Sequence, residues 1–289
     1  MQSIISLPVR LRRLSPRRLV SLTGWILCGA AFLLVAIPLL DILYVIIKDG
    51  LAAFSVDLFT QVTNGISGGL LNAITGTLVL TAGALIIGTP IGVAAGIYLS
   101  EFGHGGFSKS VRFLGDVLTG VPSIVLGYFS YVTMVVTLGW QFSVLAGTIT
   151  LAMMVVPYIA RFTELSLLQV RHELREAGYA LGTSEIRVVA RIVFPIAWPG
   201  VLTGILLSMA ISVGETAPLI YTAGWSNYLW NGHLIREPIG YLTYVIWSFI
   251  NQPFESAHAL AFAAAFLVIF AVLLINTGAR LLLKRPRNF

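Results

Sequence analysis

The chain of 289 residues is 57% hydrophobic and only 10% charged, with a mean hydropathy of +0.90. Soluble domains carry about 25% charged residues, so these charges cannot build a hydrophilic shell, and the solvent is lipid. The formal net charge of +6 does not call for nucleic acid, because Lys and Arg collect at the cytoplasmic ends of membrane spans; a single Cys28 excludes an intrachain disulfide framework.

Residues 1–19 form a basic amino-terminal segment with Arg10, Arg12, Arg13, Arg17 and Arg18. The apolar run that follows, from about Leu19 to Ile47, far exceeds the roughly 7–15 residues of a signal-peptide core. It reads as an uncleaved first span. A helix needs about 20 apolar residues to cross hydrocarbon. Windows of that kind lie at 20–47, 70–99, 112–138, 142–168, 199–222 and 257–283. The expected fold is therefore an all-α integral membrane protein with six transmembrane helices, residues 20–289 forming one transmembrane domain.

An even number of crossings puts both termini on one side. With that side cytoplasmic, Lys109, Arg112, Arg171, Arg175, Arg187, Arg191, Lys284, Arg285 and Arg287 join the amino-terminal arginines inside. Only Lys48 and Arg236 fall outside. This is the positive-inside pattern, and it predicts a multi-pass plasma membrane protein of a bacterium or archaeon with both termini cytoplasmic.

In the second span Gly88, Gly92 and Gly96 recur every fourth residue, with Gly76 and Gly83 upstream. A ridge without side chains lets another helix approach closely, although glycine is also common in membrane helices. The stretch 223–257 is the longest predicted external loop. It carries Trp225, Tyr228, Trp230 and Trp247 with Pro238 and Pro253, suiting either aromatic anchoring at the interface or docking of an external protein.

The cytoplasmic loop 169–197 is more than a connection. Leu174, Ala177 and Leu181 fall at spacings of three and four, one face of a helix. Gly182 is placed to end that helix in the left-handed conformation. Thr183 or Ser184 can cap a second helix with Glu185 in its first turn, and Pro195 and Pro199 are expected to break it before the fifth span. An amphipathic helix lying on the lipid surface accounts for the same pattern.

Glu176-Ala177, Gly182 and the Ile/Val-rich stretch ending at Phe194-Pro195 resemble the EAA loop of ABC-importer permeases. Gly178 stands where that family often has a second Ala. Further motifs are similar to the phosphate-specific branch: Ala94 to Glu101, Gly120-Val121-Pro122-Ser123 to Gly127, Arg161-Phe162-Thr163-Glu164, and Gly214-Glu215-Thr216-Ala217-Pro218-Leu219. The match covers roughly residues 70 to 283.

The resemblance implies a six-span permease of the MetI-like type. Its loop residues Arg175, Glu176, Ala177, Gly178, Leu181 and Gly182 would couple to a cytoplasmic ATPase dimer that binds ATP-Mg, leaving no cofactor in this chain. A homologous permease subunit and an external phosphate-binding protein complete the implied assembly. Many relatives carry an Arg where this chain has Ile211. Either the partner permease supplies that cation, or the transported oxyanion differs (sulfate, molybdate or phosphonate), or the residue is not required.

Charges inside spans cost on the order of 3 kcal/mol on insertion scales, so Arg161, Glu164 and Glu215, with the neighbouring Thr216, are candidates for a translocation pathway. Arg161 can offer a planar fork of donors to an oxyanion or pair internally with Glu164 or Glu215. Glu215 accepts hydrogen bonds only. It suits a protonated phosphate over sulfate, or serves a structural role. No GxxxxGK[ST] loop occurs, no nucleophile–base pair stands out, and His104 and His172 lack metal-ligand spacing. The chain reads as non-catalytic. An ion-coupled secondary transporter would require an internal repeat, and none is visible.

Overall fold

The computed structural model describes residues 16–283, without side chains at Pro16, Arg18, Leu19 and 279–283. The basic residues Arg10, Arg12, Arg13, Lys284, Arg285 and Arg287 therefore lie outside the described residues. The elements run α1 Pro16–Ala52, α2 Asp57–Thr60, a small antiparallel hairpin of β1 Thr63–Asn64 and β2 Ser67–Gly68, α3 Leu71–Ile97, α4 Gly106–Gly120 and α5 Ser123–Ser130. Then come α6 Val144–Leu168, α7 His172–Ala180, α8 Glu185–Val188, α9 Phe194–Gly214, α10 Ala217–Thr222, α11 Leu242–Phe249 and α12 Glu255–Leu283. Contacts divide the chain at Lys48 into two units. In the first, the α1 side chains from Val20 to Leu40 are almost all exposed, as a lipid-facing apolar helix requires. The rest of this description concerns the second.

Among the described residues of the whole chain, α1 included, five helices are long and apolar enough to cross a membrane, six if one bent pair counts as a span. That pair corrects the predicted third span 112–138. It is α4 followed by α5 and a π-helical turn Tyr131–Thr137, bent by 101°. The cause is Pro122, since a residue before proline is pushed out of the helical region: Val121 takes φ −73° and ψ 129°.

The predicted fifth span 199–222 is corrected at both ends. Pro195 and Pro199 do not break the chain, because helix runs from Glu185 through the π-helical turn Val189–Val193 into α9. Local π geometry is one of the adjustments that accommodate proline in membrane helices. The break comes instead at Glu215, which is extended at φ −72° and ψ 133°. Pro218 explains it: inside a continuous helix its ring would clash with the carbonyl four residues back, that of Gly214.

The stretch 223–257 is more than a plain loop. It contains α11, and Ile239, Tyr241, Leu242, Val245 and Phe249 are buried. Trp225 stacks on Tyr244 with ring centroids 4.6 Å apart, whereas Tyr228 and Trp247 stay exposed. Polar bonds hold the stretch down. Asn72 donates to the Ser226 carbonyl (2.9 Å), Leu242 N–H donates to Thr77 (2.9 Å), and the Thr243 hydroxyl donates to the Glu215 carbonyl (2.7 Å).

The helix at the centre is α6, packed between α3 and α9. The glycines of α3 face it: a Cβ at Gly83 would lie 2.7 Å from Thr148, at Gly88 2.7 Å from Val155, at Gly92 2.7 Å from Ile159 and at Gly96 2.5 Å from Thr163. Residues about four apart on α6 thus fill the positions that α3 leaves without side chains, the close approach typical of small-residue membrane interfaces.

Candidate functional site

Three groups of residues from the sequence reading can now be placed. The loop 169–197 folds as α7, a turn and α8. Gly182 takes φ +70°, which glycine reaches without Cβ strain, and its N–H donates to the Tyr179 carbonyl (2.9 Å). Ser184 occupies the position before α8 and accepts from Arg187 and Val188 through its backbone carbonyl rather than its hydroxyl.

The predicted apolar face of α7 divides. Leu174 packs on the buried cluster of Leu167, Val170, Val188, Val193 and Ala197, whereas Ala177, Leu181 and Gly182 are exposed. Glu176 is exposed beside His172, with Nδ1 3.1 Å from its Oε1. Gly178 is buried because Ile192 and Val188 pack on it; a Cβ there would meet their methyls at 2.8 and 3.0 Å. Arg175 turns inward. Its guanidinium pairs with buried Glu101, on the π-helical turn Tyr98–Phe102 that ends α3, and donates to the Leu167 carbonyl (2.8 Å). It is thus no part of the exposed patch.

The second group gathers near the α7 end of α6. Glu164 is only 3% exposed and accepts from two guanidinium groups: Arg112 Nε on α4 at 2.6 Å and Arg161 Nη1 one turn back at 3.0 Å. Arg112 also donates to the Leu99 carbonyl (2.6 Å). Arg161 keeps 54% of its side chain exposed. It lines a cavity of about 380 Å³ between α4 and α6 whose walls include Leu114, Thr119 and Pro157. Asp116 lines the same cavity, so the formal charges of Arg112 and Arg161 are matched there by Glu164 and Asp116. An arginine there can receive an oxyanion through its remaining donors.

Glu215 and Thr216 belong to a third place. They form the break between α9 and α10, where Glu215 meets the Ser123 hydroxyl of α5. Glu215 borders a narrow polar space with Thr77, Thr81, Ser212, Tyr241 and Thr243. The Ser212 and Tyr241 hydroxyls find no partner there. Arg161 and Glu215 line different cavities, so the ion pair of Arg161 is with Glu164. The sequence reading held Glu101 and Ser123 only as members of family-like motifs, passed over Tyr241 and took Arg112 only as a marker of sidedness. A charge near the end of an apolar run was the one available signal, for Glu101 and Arg112. Among the described residues no cluster of three His, Cys, Asp or Glu could hold a metal ion.

Membrane helices locked by a glycine seam, two spans broken inside the bundle and an exposed helix–turn–helix between two spans define a multi-pass transport permease. The chain belongs to the family of binding-protein-dependent transport system inner membrane components, whose profile matches residues 88–288. The phosphate transport system permease protein PstA 2 of Mycobacterium bovis is 44% identical over 263 residues, 91% of this chain and 87% of that protein. The PstA protein of Haemophilus influenzae is 42% identical, covering 85% and 87% of the two chains. Among solved structures, the MetNI methionine ABC transporter aligns with a TM-score of 0.64 at 20% identity, over 74% of this chain and 94% of the other. That likeness speaks for the fold alone.

Proposed function

We infer that this chain is the permease subunit of an ATP-driven importer of inorganic phosphate. Arg161 carries the reading: a half-exposed guanidinium, fixed by an enclosed carboxylate, lines a cavity in a chain 44% identical to proteins named phosphate transport permeases. The chain works with a second, homologous permease, two cytoplasmic ATPase subunits that bind ATP-Mg and an external phosphate-binding protein. The exposed surface of Glu176, Ala177, Leu181 and Gly182 meets the ATPase, which puts loop 169–197 and both termini in the cytoplasm.

ATP binds the two states of the assembly with different affinity and so drives the exchange between outward and inward access. Arg161 meets the oxyanion in its cavity, and at its separate place Glu215 accepts a hydrogen bond from the O–H that phosphate retains near neutral pH and sulfate lacks. At Ile211, where many relatives carry an Arg, the partner permease supplies the cation; a different transported oxyanion, or a residue that is not required there, are the alternatives. The test is uptake of labelled phosphate by vesicles holding the assembled complex, with sulfate and molybdate as competitors. Phosphate uptake that needs ATP and falls at least tenfold in Arg161→Gln supports the reading. Near-normal uptake in that variant removes Arg161 from the pathway, and uptake of sulfate in place of phosphate replaces the substrate.

A further inference from the structure

Two guanidinium groups converge on the ends of α3 and α6 from different elements, with complementary bonds. Arg175 of α7 takes the carboxylate of Glu101 on α3 and the carbonyl of Leu167 on α6. Arg112 of α4 takes the carboxylate of Glu164 on α6 and the carbonyl of Leu99 on α3. Both carbonyls lie near helix ends: that of Leu167 takes the Arg175 bond in addition to the Val170 N–H (3.1 Å), and just past Leu99 the chain leaves the helix at Gly103 with φ −78° and ψ 84°. A planar fork can hold two acceptors at fixed angles, which a lysine cannot. The glycine seam joins α3 to α6 along their length. Meanwhile α4 meets α5 at a sharp bend at Val121–Pro122 and borders the cavity beside Arg161.

We propose that the π-helical turn Tyr98–Phe102 relays movement from α7 to α4. Displacement of α7 pulls Arg175 on Glu101, and the same turn holds Arg112 through Leu99. The outcome is a swing of α4 about Val121–Pro122 that changes access to the cavity beside Arg161. Glu101 and Arg112 are positioning residues in this scheme and need not touch the transported anion. The proposal rests on the permease reading above, with α7 taken as the element that the ATPase moves.

The experiment uses the whole complex: both permeases, the ATPase subunits and the binding protein, reconstituted in lipid. ATP hydrolysis is measured without phosphate and with phosphate-loaded binding protein. Glu101→Gln keeps the size and one acceptor oxygen of the side chain. Its complex is expected to hydrolyse ATP at a basal rate within twofold of wild type, with the phosphate-dependent increase reduced at least tenfold. Arg112→Gln is expected to give the same split, and the double variant to be no worse than the weaker single one. A purely structural bridge would lower both rates together with the yield of complex.

A normal phosphate-dependent increase in either variant overturns the relay, as do additive losses in the double variant. If Glu101→Gln fails to assemble, Arg112→Gln decides alone; failure of both assigns the four bonds to folding and overturns the relay as well. A wild-type complex indifferent to phosphate is a different result, and it defeats the permease reading rather than the relay.

Discussion

Replacing Gly92 by alanine puts one methyl group into the seam between α3 and α6. That carbon would sit 2.7 Å from Ile159 Cβ, 2.8 Å from its Cγ2 and 3.0 Å from the Val156 carbonyl oxygen. Carbon pairs pack at about 3.5–4.0 Å, so the helices must part by about 1 Å. No side-chain rotation relieves the contact, because Cβ of Ile159 is fixed to its backbone. Overpacking of this kind costs about 1–3 kcal/mol, and the gap at the neighbouring contacts of Gly88 and Gly96 forfeits further dispersion energy. Against this, alanine is favoured over glycine in a helix by about 1 kcal/mol. The net loss is about 1–2 kcal/mol, or a fall in Tm of about 2–3 °C for a chain of this size.

The assay is thermal unfolding of the purified protein in detergent, compared with Gly278→Ala, where the added methyl meets nothing within 4 Å. The control should match wild type or exceed it. Gly88→Ala should lie between the two, because its nearest obstacle is a Val155 methyl that a rotamer change can move. Gly92→Ala melting at or above the control would refute the packing argument.

Removing the charge at Glu164 by Glu164→Gln leaves the Arg112 and Arg161 guanidinium groups without their shared carboxylate. Both are partly hydrated, so the stability loss should be about 1–3 kcal/mol in the same melting assay. Gly178→Ala should be neutral or stabilising by up to about 1 kcal/mol, since its new contacts are terminal methyls of Ile192 and Val188; a Tm drop would show that these methyls cannot move aside. Leu181→Asp alters a residue that is 81% exposed. It should leave Tm unchanged within about 0.5 kcal/mol while greatly weakening co-purification of the ATPase.

Features governed by local chemistry were legible in the sequence. The every-fourth glycines of α3 gave away a close helix contact, and the end of α7 at Gly182 followed from a left-handed turn. Prolines were legible only in part. Pro122 and Pro218 each force a break, yet long apolar windows hid both, while Pro195 was wrongly expected to interrupt a helix that a π-helical turn carries through. The ionic contacts were beyond sequence reading for another reason. Arg175 and Glu101 are 74 residues apart, and Arg112 and Glu164 are 52 apart. Their pairing depends on how α4 and α7 return to the bundle. Burial of α11 is of the same kind, because only the folded chain brings its aromatic residues under Trp225.

Of the helices able to cross a bilayer singly, α6 is the least apolar and the most enclosed. It also carries Arg161 and Glu164. Such a segment enters lipid poorly by itself, since each charge resists transfer into hydrocarbon. During synthesis α3 emerges first and offers the surface against which α6 can hide, and α9 arrives next to cover another flank. Insertion of the fourth predicted crossing thus depends on the helices made before and after it. A lesion that keeps either neighbour from inserting would then appear in the cell as a chain cleared during biogenesis rather than as a slow transporter.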